Sequence, residues 1–308
     1  MASLTVRVPA TTANLGPGFD CVGCALSLFN SYTFETAESG LRFTGCSPAF
    51  ANEKNLLIRG FDAVCRELGQ PRPGLVIDCR EEIPFSHGLG SSAALLCAGA
   101  AAANAFFASP LSKADLLRVC TPIEGHPDNL APALFGGMTA SMSEDGVPFT
   151  VSYAPHSSLR FVSLIPDFDL STQKARSVLP EQVSRGDAVY NLSHTAVLLK
   201  AMEAGDTATI RAALKDRLHQ PYRKVLIPDY DRLEAAAREC GAIGFCISGA
   251  GPTLLCLTDS SEFVRAMQPF VQKLPHEWKI RELPIDFTGT RVSVDEFLHE
   301  NRGAQLTP

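Results

Sequence analysis

The stretch "PFSHGLGSSAALL", residues 84–96, places two glycines, a following pair of serines and no carboxylate or lysine directly before a run of strong helix formers. The first backbone N–H groups of a helix have no partner inside it, and the helix dipole adds partial positive charge there. Gly88 and Gly90 let the main chain approach a ligand closely, and Ser91 and Ser92 add hydroxyls. The chemistry suited to such a loop is anion binding, with phosphate as the natural ligand. G-L-G-S-S-A also satisfies the G-x-G-x-x-A of a dinucleotide turn. That turn needs a strand running into its first glycine, where "EEIPFSH" intervenes, and a later acid at a strand end, where Asp115 falls in a helical pattern. A Walker loop needs a lysine and another glycine spacing. A plain turn ahead of a core helix is the remaining reading.

Elements on both sides must hold this loop. Ser91–Ala108 is nearly all apolar, which predicts a buried helix. Asn55–Leu68 carries Leu57, Phe61, Val64 and Leu68 at helical spacing and stops at Gly69. "SKADLLRVC" reads as a helix capped by Ser112. Strands are expected at "LTVRVPA", "ALSLFNSYTFE", "GLVIDCR", "GGMTASM" and "LRFVSLIP", with a sharp turn at "NLGPGFD" between the first two. After about Pro166, helices are expected near Asp187–Ala204, Thr207–Leu218 and Glu262–Val271. "AIGFCIS" and "TLLCL" are two strands flanking a second glycine loop, "GAGP". The expected fold class is α+β in two lobes, 1–160 and 161–308, meeting near residues 155–165.

The 308 residues suffice for full cores in both lobes, and 45% hydrophobic against 19% charged residues excludes a disordered chain. A net charge of -6 argues against a nucleic-acid surface. No apolar run is long enough to span a bilayer, and no signal-like segment opens the chain, so no membrane partner and a cytoplasmic setting are expected. The ten cysteines are scattered, and Cys21-x-x-Cys24 lacks the second ligand pair of a zinc site; reduced, small core thiols are the expectation.

"PATTANLGPGFD", "PFSHGLGSSAA", "EGHPDN" and "ISGAGPTLL" occur in this order and span the chain. As a set they closely resemble the GHMP kinase family, whose signatures are an N-terminal N-L-G-x-G-F/Y-D-type stretch, the phosphate loop and a C-terminal G-x-G-P-T/S loop. Within the family, "TANLGPGFD", "EGHPDNLAPALFGGM", "STQKARSVLP" and "HQPYR" most resemble the branch whose acceptor is L-homoserine. The resemblance implies a two-lobed GHMP kinase fold, a ribosomal-protein-like N-terminal lobe and a ferredoxin-like C-terminal lobe with the site between them. It implies ATP- and Mg2+-dependent phosphorylation of the homoserine hydroxyl, on the route to threonine. Mevalonate or a sugar are the alternative acceptors, and a dinucleotide-dependent oxidoreductase is the alternative outside the family. A homodimer is the expected assembly.

The same resemblance assigns residues. Pro84, Gly88, Leu89, Gly90, Ser91, Ser92 and Ala93 would wrap the triphosphate, and Asn55 matches the adenine-contacting position, though a helix cap serves equally for it. Ser92 and Glu124 would stand beside Mg2+. A zwitterionic acceptor calls for arginine at its carboxylate and a carboxylate at its ammonium. Arg176 and Arg223 match the first need and Asp20 the second, with Thr172 one helical turn before Arg176. Asn14, Asp128 and Asn129 are the expected catalytic group, placing the hydroxyl. Asn14 stands where many relatives have lysine, so positioning rather than strong general-base catalysis is expected. His126 is a conceivable base but more readily a positional residue. Ser248, Gly249 and Gly251 would buttress the phosphate loop.

Overall fold

The computed structural model of the chain describes residues 3–108 and 111–295. Its first strands, β1 (Ser3–Ala13) and β2 (Val22–Ala37), run antiparallel with a register shift at Pro9/Ala10, where proline has no N–H to give the ladder. Because β2 is 16 residues long, it serves two neighbours. Its outer half pairs with β4 (Gly74–Glu81), and Val22–Cys24 pairs with β5 (Met138–Glu144). A parallel strand β3 (Leu41–Thr44) flanks β4, β6 (Val147–Tyr153) extends from β5, and β11 (Arg291–Asp295) closes the other side of β1. The burial of β1 is nearly continuous rather than alternating, since it is interior to the sheet and α2 (Ser91–Phe106) packs on it.

The all-round apolar pattern of α2 is explained by its place in the core: it lies under β1 and against α1 (Leu56–Leu68). Gly60 and Gly99 let those two helices touch, since a Cβ on either would collide with the Leu96 or Leu57 carbonyl of the other. Asn55 caps α1 by accepting from Leu57 N, and Ser112 and Asp115 form a capping box at the start of α3 (Lys113–Glu124). A short α4 (Leu130–Phe135) follows.

The second sheet has β7 (Arg160–Pro166), β8 (Gly244–Ile247), β9 (Leu254–Thr258) and β10 (Trp278–Glu282), all antiparallel, in the order β10-β7-β9-β8. Helices lie between β7 and β8, and α10 (Phe263–Val271) between β9 and β10, giving the β-α-β-β-α-β order of a ferredoxin-like lobe. The first insertion holds α5 (Thr172–Ser177), α6 (Arg185–Ala204), α7 (Thr207–Ala213), α8 (Gln220–Arg223) and α9 (Tyr230–Glu239).

The helix expected over Thr207–Leu218 stops at Ala213. Asp216 ends it: its carboxylate accepts from the backbone of Leu218 (2.9 Å), His219 (3.0 Å) and Gln220 (2.6 Å), turning the chain into α8. All ten cysteines are unpaired. Cys24 is fully buried, and burial pushes its thiol well above the ordinary range.

Candidate active site

A cavity of about 280 Å3 opens between the two sheets. It gathers Asn14 and Asp20 from the β1–β2 turn, and Gly88, Gly90, Ser91 and Ser92 from the phosphate-type loop. Glu124, Asp128 and Asn129 join from the α3–α4 connection, Thr172 and Arg176 from α5, Arg223 from α8, and Gly249 from the second glycine loop. His126 lines it too. Pro84, Leu89 and Ala93 do not line it. Leu89 and Ala93 are buried, and the Leu89 carbonyl accepts from Thr11 N at 3.1 Å. Asn55 is also set back: its oxygen takes Leu57 N and its nitrogen donates to the Phe50 carbonyl, both at 2.9 Å, while Leu56 faces the cavity.

The loop conformation requires both glycines. Gly88 and Gly90 have φ of 73° and 71°, and a Cβ on them would strike the Ser248 carbonyl and the Thr11 hydroxyl. Gly90 is the residue before α2, so the free N–H groups of that helix start at the cavity wall. The second glycine loop locks onto the first. Ser248 Oγ donates to the Gly88 carbonyl at 2.7 Å and meets Thr12 Oγ1 at 2.9 Å; Gly249 N donates to the Ala13 carbonyl at 3.1 Å. Gly251 contributes the left-handed turn, at φ 86°, before the Gly251–Pro252 bond.

The β1–β2 turn holds its residues in uncommon backbone geometry. Asn14 (φ 72°), Leu15 (φ 40°) and Asp20 (φ 54°) all lie in the left-handed region. Asn and Asp tolerate that region best among non-glycines, and Leu15 is fixed there by complete burial. Asn14 ties the turn together: it accepts from Asp20 N at 2.9 Å and donates to the Gly249 carbonyl at 2.8 Å.

Two groups of side chains could take a cation. Ser92 Oγ donates to Glu124 Oε2 at 2.6 Å beside the α2 start. Burial raises the Glu124 carboxyl above its usual range, opposed by the Ser92 hydrogen bond and His126. A half-buried carboxylate next to a hydroxyl, both hard oxygen donors, fits Mg2+. The second group is Asp20, His126 and Asp128, whose polar atoms lie within 4.8 Å of one another. His126 Nδ1 contacts the buried Asp128 carboxylate directly, and Asn129 Nδ2 approaches the same oxygen at 3.4 Å. Burial lowers the His126 pKa, but the Asp128 hydrogen bond and charge, with Asp20 and Glu124, outweigh it and leave the imidazole above its ordinary value. Asn129 Oδ1 accepts from Thr11 Oγ1 at 2.7 Å.

The cationic end is built by two arginines around one ring. Arg176 grips Asp20 with both outer nitrogens, at 2.8 and 3.0 Å. Arg223 is 1% exposed and donates to the carbonyls of Gly249 (3.0 Å) and Ala175 (3.3 Å). Burial, then the Arg176 charge, pull its pKa down to about 10, which keeps it charged at neutral pH. Both guanidinium groups lie over Phe19, at 5.7 Å for Arg176 and 5.1 Å for Arg223, and Phe19 stacks on His219 at 5.1 Å. His219 Nε2 donates to the Gly16 carbonyl at 2.8 Å, which leaves Nδ1 as an acceptor facing Arg223. Burial lowers the His219 pKa, so the ring is neutral beside the arginine. This Phe19–His219 shelf was absent from the sequence reading.

Residues 55–137 match the family of GHMP kinases N terminal domains, and residues 198–274 that of GHMP kinases C terminal domains. A homoserine kinase of Clostridium botulinum is 40% identical over 290 residues, covering 94% of this chain and 98% of that protein. A homoserine kinase of Trichormus variabilis is 44% identical over 298 residues, with the same shares. The crystal structure of a homoserine kinase from Cytophaga hutchinsonii superposes with a TM-score of 0.85 at 29% identity, covering 94% of this chain and 97% of that one. The Methanococcus jannaschii mevalonate kinase shares the fold, with a TM-score of 0.68 at 12% identity, over 91% and 98% of the two chains. The ordered glycine loops, the ferredoxin-like second sheet and these likenesses along nearly the whole length agree: the chain belongs to the GHMP kinase family, in its homoserine kinase branch.

Proposed function

We propose that this enzyme moves the γ-phosphoryl group of ATP to the side-chain hydroxyl of L-homoserine, giving O-phospho-L-homoserine and ADP. The observation that carries the reading is one cavity lined at one end by a helix start with two glycines and two serines, and at the other by Asp20, Arg176 and Arg223. The first end suits a triphosphate and the second an α-amino acid. Mevalonate or a sugar has no ammonium group to meet Asp20.

In this reading the backbone amides from Gly88 to Ser92 hold the phosphates, while Pro84, Leu89 and Ala93 shape the loop and Asn55 fixes the helix beside the adenine. Ser92 and Glu124 hold Mg2+, which, when bound, neutralises charge on the phosphate oxygens. Asp20 takes the ammonium; Arg176, Arg223 and Thr172 take the carboxylate. Asn14, Asp128 and Asn129 place the hydroxyl oxygen in line with the γ-phosphorus. A lone pair of that oxygen forms the new O–P bond as the bond from phosphorus to the β–γ bridging oxygen breaks. The transition state is loose, so the hydroxyl proton leaves late, towards the Asp128 carboxylate, and positioning outweighs base strength.

An ADP-release assay across homoserine, mevalonate and galactose tests the reading; turnover of homoserine alone is expected, and turnover of either other alcohol in its place overturns it. Unpaired, largely buried thiols support a reducing, cytoplasmic setting. Among the described residues no helix is long and apolar enough to cross a membrane. The uncharged edge strand β6, with Phe149 and Val151 exposed, supports a homodimer, which sedimentation of the purified chain would test.

A further inference from the structure

A second and larger cleft, of about 780 Å3, lies on the far side of α8 from the cavity described above. Its walls come from α7, α8, α9 and the outer strand β8. Five cationic side chains line it, Arg211, Lys215, Arg217, Lys224 and Arg238, against two carboxylates, Asp216 and Glu234. Two of the five are offset by carboxylates just outside the cleft, Arg217 by Asp187 at 3.3 Å and Lys224 by Asp231 at 3.0 Å. Asp216 is turned inward onto three backbone amides and Asn191, and Glu234 is taken by Arg238 at 2.6 Å. Arg211 and Lys215 have no ion-pair partner among the described residues. The Arg217 guanidinium carbon lies over Tyr190, 3.8 Å from the ring centroid.

The cleft is also tied to the acceptor site. Gln220, the first residue of α8, lines the cleft, and Arg223, its last, lines the active-site cavity. Asp216 lines the cleft while fixing the amides that open α8. Gln220 Oε1 accepts from Ile247 N at 2.8 Å, joining α8 to the edge of β8. One helical turn therefore separates the two spaces, and a displacement at its start moves the guanidinium at its end.

We propose that this cleft is a second ligand site, for a small polyanion bearing phosphate or carboxylate groups, and that its occupant tunes acceptor binding through α8 and Arg223. The volume suits a metabolite-sized ligand. The free cations Arg211 and Lys215 set the charge preference, and differential contact with two positions of α8 supplies the coupling. The coupling half rests on the reading of Arg223 as an acceptor residue; the binding half does not.

Titration calorimetry on the full chain with inorganic pyrophosphate and with tricarballylate separates the two ligand sources. At least one is expected to bind saturably in the millimolar range or tighter. The Arg211→Glu/Lys215→Glu variant should weaken it about tenfold or more, and Ser92→Ala should leave it in place. The same anion, at fixed free Mg2+, should shift the homoserine KM by about threefold in the parent enzyme and not in the double variant, with the ATP KM unmoved. Unchanged basal kcat in the double variant, both of whose altered residues are exposed, reports intact folding. No saturable binding of either probe, or binding that survives the double charge reversal, overturns the site. Binding with an unmoved homoserine KM overturns the coupling. Neither binding result depends on turnover, so a failure of the kinase reading would be recognised separately.

Discussion

Arg176 and Asp20, 156 positions apart in the chain, face each other across the cavity as a two-point ion pair at 2.8 and 3.0 Å. Each is complementary to one end of an amino acid zwitterion. On the proposed reading, acceptor binding would replace one arginine–carboxylate pair with two new ones, ammonium to Asp20 and carboxylate to Arg176.

Asp20→Asn tests the ammonium half. Asparagine keeps the left-handed backbone at φ 54° and removes only the charge. Losing a charged hydrogen bond costs about 1.5–3 kcal/mol, so kcat/KM for homoserine should fall roughly ten- to a hundredfold. The pair is more than a third exposed on the arginine side, so its own contribution to stability is about 0–1 kcal/mol and the melting temperature should barely move. Steady-state kinetics and thermal unfolding on the same preparation give both answers. Unaltered homoserine kinetics would remove Asp20 from the acceptor site.

Glu124→Gln and Ser92→Ala address the proposed metal pair. Each removes one oxygen of a contact 2.6 Å long beside the start of α2. Glu124→Gln should raise the Mg2+ concentration needed for half-maximal rate and lower kcat by roughly 10–100-fold, with Ser92→Ala in the same direction. Homoserine KM should change least. Rates equal to the parent at saturating Mg2+ in both variants would refute the pairing.

Much of this arrangement was legible because its signals are local. Glycine pairs, a capping serine and an apolar run need only a few consecutive residues, and Asn55, Ser112 and the loop before α2 are where those signals put them. The ordered motif segments also announced which loops would converge. What stayed hidden depends on tertiary contact. Phe19 and His219 lie 200 positions apart, and nothing in either neighbourhood tells that their rings stack beneath two arginines. The loop of His126, with its glycine and proline, suggests a positional residue but not its partner, which is the Asp128 carboxylate. Its place between Glu124 and Asp128 was the available signal. Asp216 looked like one more helix residue until its three backbone partners showed it ending α7.

Gly90→Ala should be among the most damaging single-methyl changes in the molecule. Left-handed backbone costs alanine about 1–2 kcal/mol, and the added carbon collides with the Thr11 hydroxyl. Relief requires the loop to move away from β1, carrying the Ser91 and Ser92 amides with it. Nucleotide KM should rise and the melting temperature should fall by several degrees together. Gly40→Ala is the control: its φ of 82° is equally left-handed, but no atom lies within 4 Å of the added carbon. It should lose stability and keep its nucleotide kinetics. Equal kinetic damage in both variants would show that backbone strain, not loop placement, sets the effect.

The carboxylate clamp is best tested on the substrate and the enzyme at once. Arg223 is nearly fully buried and holds two backbone carbonyls, so its truncation mixes binding with folding. Arg176 is 39% exposed in its side chain and tolerates truncation better. Arg176→Ala should lower kcat/KM for homoserine by about ten- to over a hundredfold, the equivalent of roughly 1.5–3 kcal/mol. Arg176→Lys should recover only part of it, since an ammonium keeps the charge and loses the two-point grip. 3-Aminopropanol keeps the ammonium and the hydroxyl and lacks the carboxylate. It should be a poor substrate of the parent enzyme and lose little more with Arg176→Ala, because the partner of the arginine is already missing. That non-additivity isolates one contact from general damage to the site. If the two losses simply add, Arg176 does not hold the carboxylate, and the amino acid end of the cavity needs another occupant.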